Sequence, residues 1–352
     1  EWNTYAVVYS ISATRYGVLL SVDISLAGVI SPVSYRLLFG DIMEEPEIIK
    51  LESSLNKYVI VYNCVGNDGG LRTVQIMDTG VLSDISGHVY FDEDDGGEPE
   101  IISIKNKVYA IVYSGPILRQ SMMIKTVEIS STGAVTLLSA SRAKTIDEFS
   151  LDFIANNTVR CPHISPLTGG APFYCISYSV ASATSNRYGK IAIISILDSG
   201  TIQDLSKKDC TFEPFTCAEP YLLYIVDEIY ALVYRSISGD GVIKTISIKN
   251  EGLIKQNPIL DMGEIGGLKC YAADEVLTSD RRYVADVYQG LNYHMVVKTV
   301  KVNTTTKTIA NAFSDSLLIE EGYTSSNGTF NASYAPTIIP INNEVYAIAY
   351  CH

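Results

Sequence analysis

A tyrosine-edged apolar run recurs along the whole chain, and no other feature restricts its fold so tightly. "KVYAIVYSG" at residues 107–115 returns as "NTYAVVYS" from Asn3, "NKYVIVYN" from Asn56, "EIYALVYR" from Glu228 and "EVYAIAYC" from Glu344. The first tyrosine of the run falls at Tyr5, Tyr58, Tyr109, Tyr174, Tyr230, Tyr283 and Tyr346, at intervals of 51 to 65 residues. Repetition at such a period marks a repeat architecture. In "YAIVYS", Tyr109, Ile111 and Tyr113 share one face of a strand, while Ala110 and Val112 share the other. Both faces are apolar, so this strand must be covered on both sides.

Three further motifs keep step with the run. One precedes it, as "EPEIIKL" from Glu45, "EPEIISI" from Glu98, "CPHISPL" from Cys161, "EPYLLYI" from Glu219 and "APTIIPI" from Ala335. Another follows it, as "RTVQI" at 72–76, "KTVEI" at 125–129, "KTISI" at 244–248 and "KTVKV" at 298–302. A turn glycine then leads into a fourth short run, at Gly28, Gly80, Gly133, Gly200 and Gly252. Each unit therefore reads as four short strands, A to D, with "NDGG" (67–70) and "SGDG" (238–241) as hairpin turns.

Four antiparallel strands repeated at this period predict an all-β fold, a β-propeller of four-stranded blades. Seven tyrosine runs predict seven blades, with six as the alternative. One propeller domain spans 1–352, in units of about 1–40, 41–95, 96–150, 151–213, 214–265, 266–333 and a partial 334–352. The chain begins and ends on strand B, so its strands complete neither seven blades nor six. Open ends of this kind can accept a strand from a second copy, head to tail. The fourth and sixth units depart most from the pattern, the fourth with "APFYCISYS" as its strand B.

Composition narrows the partners. Formal net charge is −13, with no cluster of Lys or Arg, which argues against nucleic acid and against anionic membrane surfaces. No apolar stretch reaches the ~20 residues of a membrane-spanning helix. The first residue is Glu1 rather than Met, which is the expectation for a processed secreted chain or a fragment. Sequons at Asn156, Asn303, Asn327 and Asn331 are candidate glycosylation sites if the chain is extracellular.

The units "VYAIVYSG…IKTVEI" and "VYAIAY" resemble the tandem repeats of large surface proteins of archaea, methanogens in particular. The resemblance implies an extracellular, glycosylated propeller module of a surface-layer or adhesin-like protein. It brings no catalytic residue and no cofactor with it. The Asp-box, Trp-Asp and kelch signatures of better-known propellers are missing.

Chemistry is sparse. His88, His163, His294 and His352 form no zinc-binding pattern, and no G-x-S-x-G elbow occurs. Seven cysteines contain no C-x-x-C pair, and Cys210 with Cys217 is the best local disulfide candidate. Asp92, Asp94 and Asp95 in "FDEDDGGEPE" are candidate ligands for Ca²⁺, the one cofactor suggested. Glu45, Glu47, Glu98, Glu100, Glu213 and Glu219 gather around strand A starts, where carboxylates of different units can meet. Tyr188, Tyr271, Tyr293 and Tyr323 are candidate stacking platforms for a sugar. No residue is assigned as catalytic. The leading expectation is an extracellular structural or adhesive module that contacts copies of itself or other surface proteins. A glycan- or ligand-binding propeller is the first alternative, and a polysaccharide-active glycosidase or lyase using carboxylates is the second.

Overall fold

The computed structural model describes residues 2–11, 13–31, 35–52, 54–94, 96–115, 122–138, 144–147, 158–167, 172–181, 187–213, 217–236, 241–248, 254–255, 273–277, 283–289, 295–303, 308–320, 337–341 and 345–349. Their strands form antiparallel sheets that follow the chain in order. The first sheet holds β1 (Trp2–Ser10), β2 (Tyr16–Ser25) and β3 (Tyr35–Ile42). The second runs β4 (Glu44–Lys50), β5 (Lys57–Asn63), β6 (Gly69–Ile76) and β7 (Leu82–Asp84), with β8 (Val89–Asp92) also pairing β6. The third repeats that plan with β9 (Gly97–Lys105), β10 (Val108–Ser114), β11 (Met122–Ile129), β12 (Val135–Leu137) and β13 (Lys144–Asp147).

Next come β14 (Thr158–Pro166), β15 (Phe173–Ala181), β16 (Arg187–Ile196) and β17 (Ile202–Glu213) as a fourth sheet. The fifth holds β18 (Ala218–Val226), β19 (Ile229–Arg235), β20 (Gly241–Ile248) and β21 (Ile254–Lys255). The sixth holds β22 (Ala273–Leu277), β23 (Tyr283–Gln289), β24 (Met295–Asn303) and β25 (Thr308–Glu320). A last pair is β26 (Thr337–Pro340) and β27 (Tyr346–Ala349). The chain separates into two compact units. One comprises Glu1–Pro166, Pro172–Asn186 and Ile191–Asp209; the other comprises Leu167–Ala171, Arg187–Lys190 and Cys210–His352.

Within the first unit the double-faced strand B has the surroundings that its sequence demands. Ile60 and Tyr62 of β5 join Leu19, Phe39 and Met43 of the first sheet in one apolar cluster. Val59 and Val61, on the other face, join Tyr109, Ile111 and Tyr113 of β10 in a second cluster. The tyrosine faces of β5 and β10 thus look back to the preceding sheet, and the aliphatic face of β5 looks forward. Each such side chain, wholly buried, contributes roughly 1.5–3 kcal/mol.

A hydrogen bond repeats between neighbouring sheets and explains two of the motifs together. Ser21 Oγ donates to the Gly80 carbonyl (2.7 Å), Thr73 Oγ1 to that of Gly133 (2.7 Å) and Thr126 Oγ1 to that of Gly200 (2.8 Å). Each hydroxyl lies on a strand C, and each carbonyl belongs to the turn glycine of the next unit. Gly133 and Gly200 sit at φ +92° and +82°, where L side chains are strained. A Cβ on Gly200 would also crowd Leu138 Cδ1 at 2.5 Å and Thr126 Oγ1 at 3.0 Å, so those side chains would have to shift for an alanine.

The expected turn at "NDGG" is displaced. A 3₁₀ turn at Val65–Asn67 closes the hairpin, and Gly69 and Gly70 already belong to β6. The reason is steric: a Cβ on Gly69 would meet Phe91 at 2.2 Å, and one on Gly70 would meet Cys64 Sγ at 2.5 Å.

Replacing Thr73 by Val keeps the side-chain shape but leaves the Gly133 carbonyl without its donor. We expect a loss of about 1–3 kcal/mol in urea unfolding, against a negligible change for Thr136→Val on an exposed edge. Equal stability of the two variants would contradict the latch.

Candidate active site

Strand A starts on an irregularity that recurs. Glu45, Glu98 and Glu219, each followed by proline, adopt φ values of +49°, +48° and +51°. At the same place the register against strand B shifts, between Glu44 and Glu47, Gly97 and Glu100, Arg160 and His163, and Ala218 and Tyr221. A bulge bends the strand and re-aims the side chain that follows it. Left-handed backbone at a non-glycine residue costs about 1–3 kcal/mol, which the paired strands on either side must hold in place.

The carboxylates at these bulges have distinct tasks. Glu45 Oε2 accepts from the Glu98 amide (2.9 Å), and Glu47 Oε2 accepts from the Ile101 amide (2.8 Å). Glu98 accepts from the Ser114 hydroxyl (3.2 Å), and Glu219 pairs with Arg235 (3.1 Å). These are ties between backbone segments. Glu100 differs, because its partner is an imidazole. His163 Nδ1 lies 2.8 Å from Glu100 Oε1 and 2.9 Å from Oε2, while His163 Nε2 lies 2.9 Å from Ser165 Oγ.

In a neutral ring the carboxylate at Nδ1 favours the proton on that nitrogen, which leaves Nε2 to accept from the serine hydroxyl. The imidazole is nearly buried, with 10% of its side chain exposed, and Glu100 retains 19%. A carboxylate that orients a histidine, with the second ring nitrogen on a hydroxyl, is a general-base geometry.

A second polar set repeats in three sheets and serves packing. Tyr113 donates to Asp92 Oδ2 (2.6 Å) and Tyr234 to Glu213 Oε2 (2.9 Å). A cation from strand C completes each set. Lys244 reaches Glu213 at 3.0 Å, Lys125 donates to the Phe91 carbonyl, and Arg72 holds both Asp41 and Asp84 while donating to Tyr62 Oη (3.1 Å). His88 Nδ1 joins the Arg72 set, 2.8 Å from Tyr62 Oη, and burial lowers its pKa. Burial also pushes the Tyr62 phenol far above its ordinary range, so it stays neutral and works as a strut rather than a base.

The remaining sequence candidates are scattered. Asp92 is occupied by Tyr113 and by the Asp94 amide (3.1 Å); Asp95 lies outside the described residues. Among the described residues no group of three or more His, Cys, Asp or Glu side chains could hold a metal ion. Cys210 is half-buried in β17 and Cys217 is buried; a Cβ on Gly189 would approach Cys217 Sγ to 2.8 Å. Asn303 ends β24, whereas Asn156, Asn327 and Asn331 lie outside the described residues. Tyr188 is half-buried in β16; Tyr271, Tyr293, Tyr323, His294 and His352 also lie outside. A cleft of about 580 Å³ lies at the far end of β9 from Glu100, with Lys105 in its wall already paired to Asp198 (2.6 Å).

The His163–Ser165–Glu100 set was not singled out by sequence reasoning. Its signal lies in the strand A motifs placed side by side: "CPHISPL" puts a histidine where the second and third units have Glu47 and Glu100, and a serine where they have Ile49 and Ile102.

No protein-family profile and no curated protein matches the sequence. Solved structures do resemble the fold. The periplasmic gluconolactonase of Pseudomonas aeruginosa matches with a TM-score of 0.65 at 12% identity, over 92% of this chain and 85% of that one. A polysaccharide lyase, an ulvan lyase, matches with a TM-score of 0.54 at 10% identity, over 95% and 83%. No described helix is long and apolar enough to cross a membrane. The stacked antiparallel sheets and these neighbours together show a β-propeller.

Proposed function

We propose that this chain is an extracellular carbohydrate-active enzyme whose proton-transfer group is His163, positioned by Glu100. One observation carries the reading: the imidazole is held at Nδ1 by a carboxylate and presents Nε2 to a hydroxyl, beside the bulge of β14. Two fold neighbours named as enzymes of sugar chemistry, a gluconolactonase and an ulvan lyase, support it. The charge of the chain narrows the substrate. A net −13, with glutamates at several strand A starts, disfavours a polyanionic glycan and favours an uncharged saccharide or its lactone.

His163→Ala is expected to reduce kcat/KM on the responsive saccharide by about 10²–10⁴-fold, and Glu100→Gln by less, with the melting temperature monitored alongside. The panel holds neutral polysaccharides, aldonolactones and polyuronates. Turnover of none of them, or full activity in a folded His163→Ala protein, would end this reading.

A second reading, assembly at a cell surface, has its own observation. Among the described residues β1 pairs only with β2, so it leaves an edge of a short sheet without a described partner strand. An unpaired edge accepts an added strand, here from a second copy head to tail. Light scattering should then show oligomers of the whole chain that disappear on removal of 335–352. The same oligomer from the truncated chain would exclude this route.

A further inference from the structure

The fourth sheet breaks the repeat in a way that packing does not explain. Along strand A, the position taken by Ser165 holds Ile49, Ile102, Leu223 and Ile339 in other units. The position taken by His163 holds Glu47, Glu100, Tyr221 and Thr337. The register carries the change into strand B. In the third sheet Glu100 pairs Val112 and Ile102 pairs Ala110, whereas in the fourth His163 pairs Ser177 and Ser165 pairs Cys175. One face of this sheet therefore exchanges aliphatic side chains for two hydroxyls and a thiol, beside an imidazole that stands where the second and third sheets have a carboxylate. Burying polar groups in place of aliphatic ones costs stability unless each is bonded.

We infer that Ser165 is a nucleophile, activated by His163 and positioned through Glu100, and that the substrate is a carboxylic ester or lactone. The order of contacts, carboxylate to Nδ1 and hydroxyl to Nε2, is the one that nucleophilic acyl transfer requires. Ser165 Oγ attacks the acyl carbon while its proton passes to His163 Nε2. Collapse of the tetrahedral adduct breaks the bond from the acyl carbon to the alkoxy oxygen, which takes the proton from Nε2. Water then attacks the acyl–Ser165 ester, again giving a proton to Nε2, and collapse returns that proton to Oγ and releases the carboxylic acid. The sum is ester plus water giving acid plus alcohol; with a lactone both groups stay on one molecule. Glu100 is a positioning residue: it fixes the tautomer and steadies the imidazolium.

This inference rests on the proposed role of His163 and adds the reaction class to it. The test uses a fluorophosphonate probe on the whole chain, with mass spectrometry locating the adduct, beside hydrolysis of p-nitrophenyl acetate and of an aldonolactone. Wild type is expected to label at Ser165. Ser165→Ala should abolish labelling and lower ester hydrolysis by about 10³-fold or more, and Glu100→Gln should slow labelling and shift its pH profile. Ser165→Ala is expected to fold, since the position accepts isoleucine in other units, and its melting temperature checks this.

Absent labelling, labelling elsewhere, or ester hydrolysis that survives in a folded Ser165→Ala protein would overturn the nucleophile. Labelling at Ser165 without turnover of any saccharide or lactone would retain the nucleophile and sink the carbohydrate reading. Saccharide turnover that needs His163 but not Ser165 would do the reverse.

Discussion

Strands β5 and β10 carry apolar side chains on both faces, and the sheets around them are organised to cover those faces. A single sheet can cover neither face, because the strand lies within the sheet and both its surfaces point outward from the sheet plane. Only stacking between two further sheets removes Ile60 and Tyr62 on one side, and Val59 and Val61 on the other, from water. Apolar burial has no direction of its own, so it cannot by itself set the spacing of sheets. The strand C hydroxyls do that, tying Ser21, Thr73 and Thr126 to the carbonyls of successive turn glycines.

The same stacking accounts for the charged residues at its margins. Asp92, Glu213 and Asp41 are part-buried and would lose hydration without compensation if left alone. Each receives a donor from the repeat itself, a strand B tyrosine or a strand C cation, and the tyrosine hydroxyls are satisfied by the same bond. Apolar and polar ties thus recur with the period of the repeat.

Much of this was legible in the sequence because it is periodic. Alternation in "YAIVYS" is enough to demand cover on two faces, and the recurring Lys-Thr and turn glycine mark strand C and its hairpin. The bond between them was not legible, since Thr73 and Gly133 belong to different units and nothing local links them. The turn after β5 was misplaced because glycine serves two ends: here it makes room for Phe91 and Cys64 rather than bending the chain. The candidate site is hidden for a related reason. His163 and Ser165 are neighbours on one strand, but Glu100 comes from the preceding unit, and the bulge that aims both side chains has no signature beyond a Glu-Pro or Cys-Pro pair. Where a repeat is this regular, its single departures stand out, and "CPHISPL" is one of them.

Native-state hydrogen exchange tests the organising claim most directly. Amides of β5 and β10, each paired on both edges and covered on both faces, are predicted to exchange more slowly than any others in the first unit, opening only with global unfolding. Exchange of Val59–Val61 or Ala110–Val112 as fast as the exposed Leu55 hairpin or β12 would contradict the two-sided burial on which this account stands.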